Sequence, residues 1–142
     1  MGGMRFEDLE VWKRSARLSC ELYQATRGLK DWGYRDQLTR AGLSISSNIA
    51  EGYERESNLR CIRFLSFAKG SCGEVRSQLY VGKKIEYLDS KAASAWIEES
   101  EVISKMLASL IRKRKQFNQQ SNEEPGEYAI SKNLQDPRRF DL

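Results

Sequence analysis

The chain of 142 residues, 39% hydrophobic, fits one domain that can bury its own core, and its three cysteines, odd in number and without a CxxC pair, argue against a disulfide framework or a zinc ribbon. It contains no histidine, which removes the commonest general base and the Glu-x-x-His ligands of di-iron bundles. Lys and Arg outnumber Asp and Glu by 24 to 20, and residues 1–115 hold 21 bases and 15 acids, so a modestly basic body precedes a slightly acidic tail; this suits nucleic acid, acidic proteins or anionic surfaces but falls short of a concentrated basic domain.

Both prolines, Pro125 and Pro137, lie in the tail, so long helices are permitted up to residue 124. The first amphipathic segment runs from about Glu7 to Arg27, with Leu9, Trp12, Ala16, Ser19 and Tyr23 on one stripe and Val11, Leu18 and Leu22 widening it. "RGLKDWGYRD" breaks it, and Trp32 in that connection is the aromatic least suited to the core. The second segment, roughly Tyr34 to Tyr53, carries Leu38, Ala41, Ile45, Asn48 and Gly52 at steps of three and four. The third follows a Ser57 N-cap and extends to about Tyr87, with Cys61, Leu65, Ala68, Cys72, Val75, Leu79 and Gly82 in the rhythm of a packing seam. Asp89 and Ser90 can cap a fourth, whose Trp96, Ser100, Ile103, Leu107 and Leu110 keep that rhythm until "RKRK", Arg112 to Lys115, which favours the negative end of a helix.

No alternating strand pattern competes. Short connections make neighbouring helices antiparallel, so the expected fold is an all-α, up-down-up-down four-helix bundle over residues 1–115. Residues 116–142 form a C-terminal extension, flexible or docked on the bundle or a neighbouring subunit; its Glu123, Glu124 and Glu127 could screen the RKRK cluster. "MGGMRFEDLE" lacks an apolar leader and no later run reaches spanning length, so a soluble cytoplasmic protein without membrane contact is expected.

The second segment, "RAGLSISSNIAEGYER", builds a helix from residues that weaken helices. Ala41, Ser44, Ser47 and Gly52, facing Ala68, Gly70, Ser71 and Gly73 of the third, would let two backbones approach closely, and dense packing would offset the roughly 1 kcal/mol that each glycine costs. Asn48 then falls on the seam and is expected in the interior, bonded to Ser71, Glu74 or Gln78 and fixing helix register.

Three stretches, "FEDLEVWKRSARL", "DQLTRAGLSISSNIAEGYERES" and "RFLSFAKGSCGEVRSQL", resemble in that order the small bacterial four-helix-bundle proteins encoded in intervening sequences of large-subunit ribosomal RNA genes. The resemblance covers about residues 5 to 111. It implies a ring-like homopentamer and, by position, motif residues Gln37, Arg40, Ser44, Asn48, Glu51, Gly52, Gly70, Ser71 and Glu74. A more distant resemblance, to the accessory variability determinant of diversity-generating retroelements, implies a basic pentamer working with RNA and a reverse transcriptase. Thr39, where the family often has a second arginine, and Gly42, where it often has alanine, depart from the pattern.

The functional readings follow from these residues. Glu51 and Glu74 read as members of an interior polar network rather than a metal or acid-base pair, and neither a metal nor a cofactor is expected. Cys61 and Cys72 read as small apolar seam residues, Trp12 and Trp96 as core anchors, and no serine has an evident activator. The favoured function is a non-enzymatic homo-oligomeric binding module that contacts RNA or DNA through Arg112, Lys113, Arg114 and Lys115. The alternative is a structural or adaptor protein that binds another protein, such as a reverse transcriptase. An enzyme ranks third.

Overall fold

A computed structural model describes residues 3–120 of the chain. A 3-10 turn over Phe6–Asp8 leads into α1 (Glu10–Ala25), followed by α2 (Trp32–Tyr53), α3 (Asn58–Lys84) and α4 (Ser90–Gln120), with no strand among the described residues. Four helices packed as a bundle are what the periodicity predicts. The boundaries are set by local chemistry. Asp31 Oδ1 accepts from the Tyr34 amide at 3.0 Å and starts α2 two residues earlier than expected; Ser57 Oγ accepts from the Arg60 amide at 3.3 Å, and Asp89 Oδ2 from the Ala92 amide at 2.9 Å. The turn after α3 closes with the Tyr87 and Glu86 amides donating to Gly82 O and Lys83 O, the two bonds of a Schellman ending, and Glu86 occupies its left-handed position at φ 62°.

The core lies between the helices as a continuous set of fully buried side chains: Leu18 and Leu22 from α1, Leu38, Ile45 and Ile49 from α2, Leu65, Val75 and Leu79 from α3, Ile103 and Leu107 from α4. The helix α3 packs broadly on both α2 and α4, and α1 packs on α2 while touching α4 much less. Trp12 and Trp96 are half-buried against this core, and Trp32 is 69% exposed at the start of α2. Cys61 and Cys72 are buried; Cys72 donates to Ser100 O on α4 at 2.9 Å, and burial pushes its thiol up to about 11.

Two expectations are corrected here. Helix α4 continues through the expected domain boundary at 115/116 to Gln120, so the RKRK cluster lies more than a turn before the helix end and does not terminate it. The reason is legible in the stripe: Asn118, seven residues beyond Ile111, is buried and extends the inward face past the bases. The extension proper, residues 121–142, with its acids Glu123, Glu124 and Glu127, lies outside the described residues.

The second correction concerns the glycines. A Cβ at Gly70 or Gly73 would meet nothing within 4 Å, so neither brings α2 and α3 together. Close approach is made instead at Gly52, where a Cβ would lie 3.1 Å from Phe64 Cβ and 3.2 Å from Cys61 O, and at Gly82, where it would overlap the Tyr34 hydroxyl. Gly82→Ala is therefore expected to destabilise the fold by about 1 to 3 kcal/mol through overpacking, whereas Gly73→Ala should stabilise it by about 0.5 to 1 kcal/mol through helix propensity. Urea unfolding of the two variants checks both signs. Linkage gives a third expectation: a thiol protonated in the fold to about 11 but ionising near its ordinary 9 when unfolded leaves the unfolded chain with fewer protons between those values, so stability falls as pH rises through that window. Cys72→Ala should flatten that fall in unfolding free energies measured from pH 8.5 to 11.

Candidate functional site

Most of the residues singled out by the resemblance lie along the outer seam between α2 and α3. On α2 the steps from Gln37 through Arg40, Ser44 and Asn48 to Glu51 keep one flank. Ser71 and Glu74 occupy the facing flank of α3, because Ser44 Oγ and Ser71 Oγ share a hydrogen bond of 2.8 Å. Asn48 Nδ2 donates to Ser44 O at 2.8 Å and to Ser44 Oγ at 2.9 Å, so Asn48 reaches α3 through Ser44. Above this relay the Tyr34 hydroxyl donates to Gln78 O at 2.5 Å, and Gln78 Oε1 is buried without a hydrogen-bond partner.

The interior network expected from the sequence is thus reduced to a half-buried relay of Ser44, Asn48 and Ser71. Gln37, Arg40, Glu51 and Glu74 are exposed. Arg40 pairs with Asp36 at 2.9 Å and Glu51 with Arg55 at 2.6 Å, each along its own helix, and Glu51 and Glu74 do not form a bonded pair. The misreading has a physical cause: steps of three and four mark both the centre and the shoulder of a helix's buried face. Asn48, set between Ile45 and Ile49, is displaced by about 60° from the first and 100° from the second, which places it on the shoulder. Gly52 is buried where packing was expected, whereas Gly70 is exposed and Gly73 half-buried beside open space.

The basic cluster divides in two. Arg112 and Lys113 are exposed and enter none of the ion pairs among the described residues. Arg114 is structural: its Nη1 donates to Asn58 Oδ1 at 2.8 Å and its guanidinium stacks 4.6 Å from the Tyr53 ring centre. Asn58 Nδ2 in turn donates to Arg114 O at 2.9 Å and to Asn118 Oδ1, closing a polar clasp between the start of α3 and the end of α4. Lys115 is half-buried, and that burial lowers its ammonium below the usual lysine range. The clasp was missed in the sequence, although the seven-residue step from Ile111 to Asn118 announces it.

On the opposite side, α1 and α4 enclose a shallow cleft of about 410 Å³ lined by Arg14, Arg17, Glu21, Trp96 and Glu99. Polar bridges span it: Arg14 holds Glu99 through two bonds of 2.6 and 2.9 Å, and Trp96 Nε1 donates to Glu21 at 2.9 Å. Among the described residues no three His, Cys, Asp or Glu side chains converge as metal ligands, and no helix is long and apolar enough to cross a membrane.

A small four-helix bundle whose motif residues line an outer seam is the class these observations define. Residues 7–109 match the 23S rRNA-intervening sequence protein family, and the chain belongs to that family. Its fold is shared with the crystal structure of a protein of unknown function from the S23 ribosomal protein family of Bacteroides thetaiotaomicron, at a TM-score of 0.67 and 24% identity, covering 71% of this chain and 97% of that one. No curated protein matches the chain.

The relay predicts a modest energetic role. Asn48→Ala removes two hydrogen bonds at a half-buried position, and water can reach the groups left behind, so a loss of about 0.5 to 1.5 kcal/mol is expected in urea unfolding. A loss well above that range would restore the interior reading.

Proposed function

We propose that the protein is a non-enzymatic, homo-oligomeric binding module that engages nucleic acid through a modestly basic surface. The observation that carries this reading is that five of the nine residues singled out by the resemblance face outward. Gln37, Arg40, Glu51, Gly70 and Glu74 are exposed on a single chain, and Leu43 of α2, Phe67 and Val81 of α3 and Ile85 just after it add apolar side chains that are 43% to 47% exposed. Residues that one chain's core does not use are available to a partner, and a second copy is the partner the resemblance favours, most simply in a closed ring of five. An antiparallel up-down-up-down order within each protomer is supported by the pairing of Tyr34 with Gln78, Ser44 with Ser71 and Gly52 with Cys61. A ring repeats each cation several times, so individually weak phosphate contacts add. A cytoplasmic location accords with this role.

A second reading, an adaptor that binds another protein such as a reverse transcriptase, is favoured by the same exposed apolar side chains, above all Phe67 and Leu43. Two measurements separate the possibilities. Sedimentation equilibrium of the full chain should give a closed oligomer of five chain masses, and a monodisperse monomer at micromolar concentration would overturn the assembly. Capture from host extract, with RNA and protein both sequenced, should return reproducible RNA. A single protein partner that survives nuclease treatment would establish the adaptor instead.

A further inference from the structure

Lys69, Arg76 and Lys83 follow one another along α3 at seven-residue steps, and Lys105 and Arg112 do the same along α4. Seven residues are two helical turns, about 10.5 Å, so each set forms a row on one stripe. The rows adjoin. Lys69 and Arg76 lie one turn to either side of Cys72, whose thiol reaches Ser100 O, which places them on the α4 flank of α3. On α4, Arg14 and Glu21 of α1 hold Glu99 and Trp96, so α1 covers one flank; Lys105 and Arg112 fall on the other, four residues beyond half-buried Glu101 and Ala108. With Cys72 level with Ser100 and Asn58 level with Arg114, Lys105 sits near Lys69, and the track from Arg112 to Lys83 is roughly 35 Å long.

The cations of the two rows are not taken up by acids within the bundle. Arg14 is matched by Glu99, Arg40 by Asp36 and Arg55 by Glu51 elsewhere on the bundle. Lys69, Arg76, Lys83, Lys105 and Arg112 enter no ion pair or side-chain hydrogen bond among the described residues. Glu98 and Glu101 are the acids on the same face, fewer than the bases around them. The relief is low. Ser66, Gly70 and Ser77 are exposed, and a Cβ at Gly70 or Gly73 meets open space, so a phosphate chain can approach the helix backbone. Tyr80, the aromatic residue on this side of α3, packs half-buried against the core instead of standing out as a platform for unpaired bases. Neighbouring helix axes are about 8 to 10 Å apart, so two cation rows side by side can meet both strands of a duplex at once, which a single flexible strand does not offer.

We infer that the α3–α4 face, through Lys69, Arg76, Lys83, Lys105 and Arg112, binds the phosphate backbone of a nucleic-acid duplex. The inference rests on the nucleic-acid reading above and moves its contact surface from the RKRK cluster to the groove between two helices, with Arg112 common to both. Regularly spaced cations on a low surface match the spacing of phosphates, a backbone contact that carries no sequence information.

The test titrates the full chain into a labelled mixed-sequence duplex, and into one of its strands alone, at stepped salt concentrations, reading fluorescence anisotropy. Replacing Lys69, Arg76, Lys105 and Arg112 together by Gln should weaken duplex binding at least about tenfold at physiological salt and lower the salt slope by about 3 to 4. Gly73→Glu, which sets an acid beside the rows where the side chain has room, should weaken it as well, without lowering the thermal midpoint. Arg27→Gln with Lys30→Gln, which removes charge from the α1–α2 connection, should leave it unchanged. Duplex binding by the native chain that the four substitutions do not alter would overturn this face while leaving the nucleic-acid reading intact. Binding of neither nucleic acid by the native chain would overturn both, and tighter binding of the single strand would overturn the duplex assignment.

Discussion

Burial of the α3 seam is the constraint on which the rest of the fold depends. Leu65, Ala68, Cys72, Val75 and Leu79 are all fully buried, and this helix packs broadly on two neighbours, α2 on one side and α4 on the other. A helix shared in this way has a fixed rotation about its axis, since turning it by one residue, about 100°, would remove the seam from the core. Fixing that rotation fixes everything else α3 carries. Ser71, Glu74 and Gln78 fall on the α2 flank, Lys69, Arg76 and Lys83 on the α4 flank, and Gly70 faces outward. The placement of α1 is less constrained, because it leans on α2 and meets α4 chiefly across the cleft bridged by Arg14–Glu99 and Glu21–Trp96.

The same constraint explains why small residues gather where the bundle does not need them. Close approach of α2 and α3 is made at the two ends of their contact, by Gly52 against Cys61 and Phe64 and by Gly82 against Tyr34. Between those points the helices are joined by the Ser44–Ser71 bond, and the flanking Gly70 and Gly73 contribute nothing to packing within the chain while weakening the helix. Residues that lower helix propensity without a compensating contact are accounted for by something that approaches the surface. A second copy on the α2 side and a phosphate chain on the α4 side are the two partners this reading supplies.

Much of the fold was legible because its signals are periodic. The heptad rhythm from Cys61 to Gly82 identified the α3 seam, and Asp89 and Ser57 marked helix starts by the chemistry of their side chains. The candidate site was less legible. Asn48 and Glu51 share helical spacing with Ile45 and Gly52, and spacing alone does not separate the middle of a buried face from its shoulder, which depends on where the neighbouring helix lies. The adjacent bases of RKRK drew attention as a run, yet a run of four consecutive residues circles the helix: Arg112 and Lys113 are exposed, while Arg114 turns to Asn58 of α3 and Lys115 is half-buried. The cations spaced by seven were visible in the sequence but carried no meaning until the Cys72–Ser100 contact showed that their rows adjoin.

Residue-resolved amide hydrogen exchange of the full chain tests the central claim, that the α3 seam is the last part of the structure to open. The slowest amides should lie between Leu65 and Leu79 and exchange with the free energy of global unfolding, with α1 opening at lower cost. If the amides of α1 exchange as slowly as those of α3, or if α3 opens locally while α4 stays closed, α3 is not the shared wall and the placement of both its flanks loses its foundation.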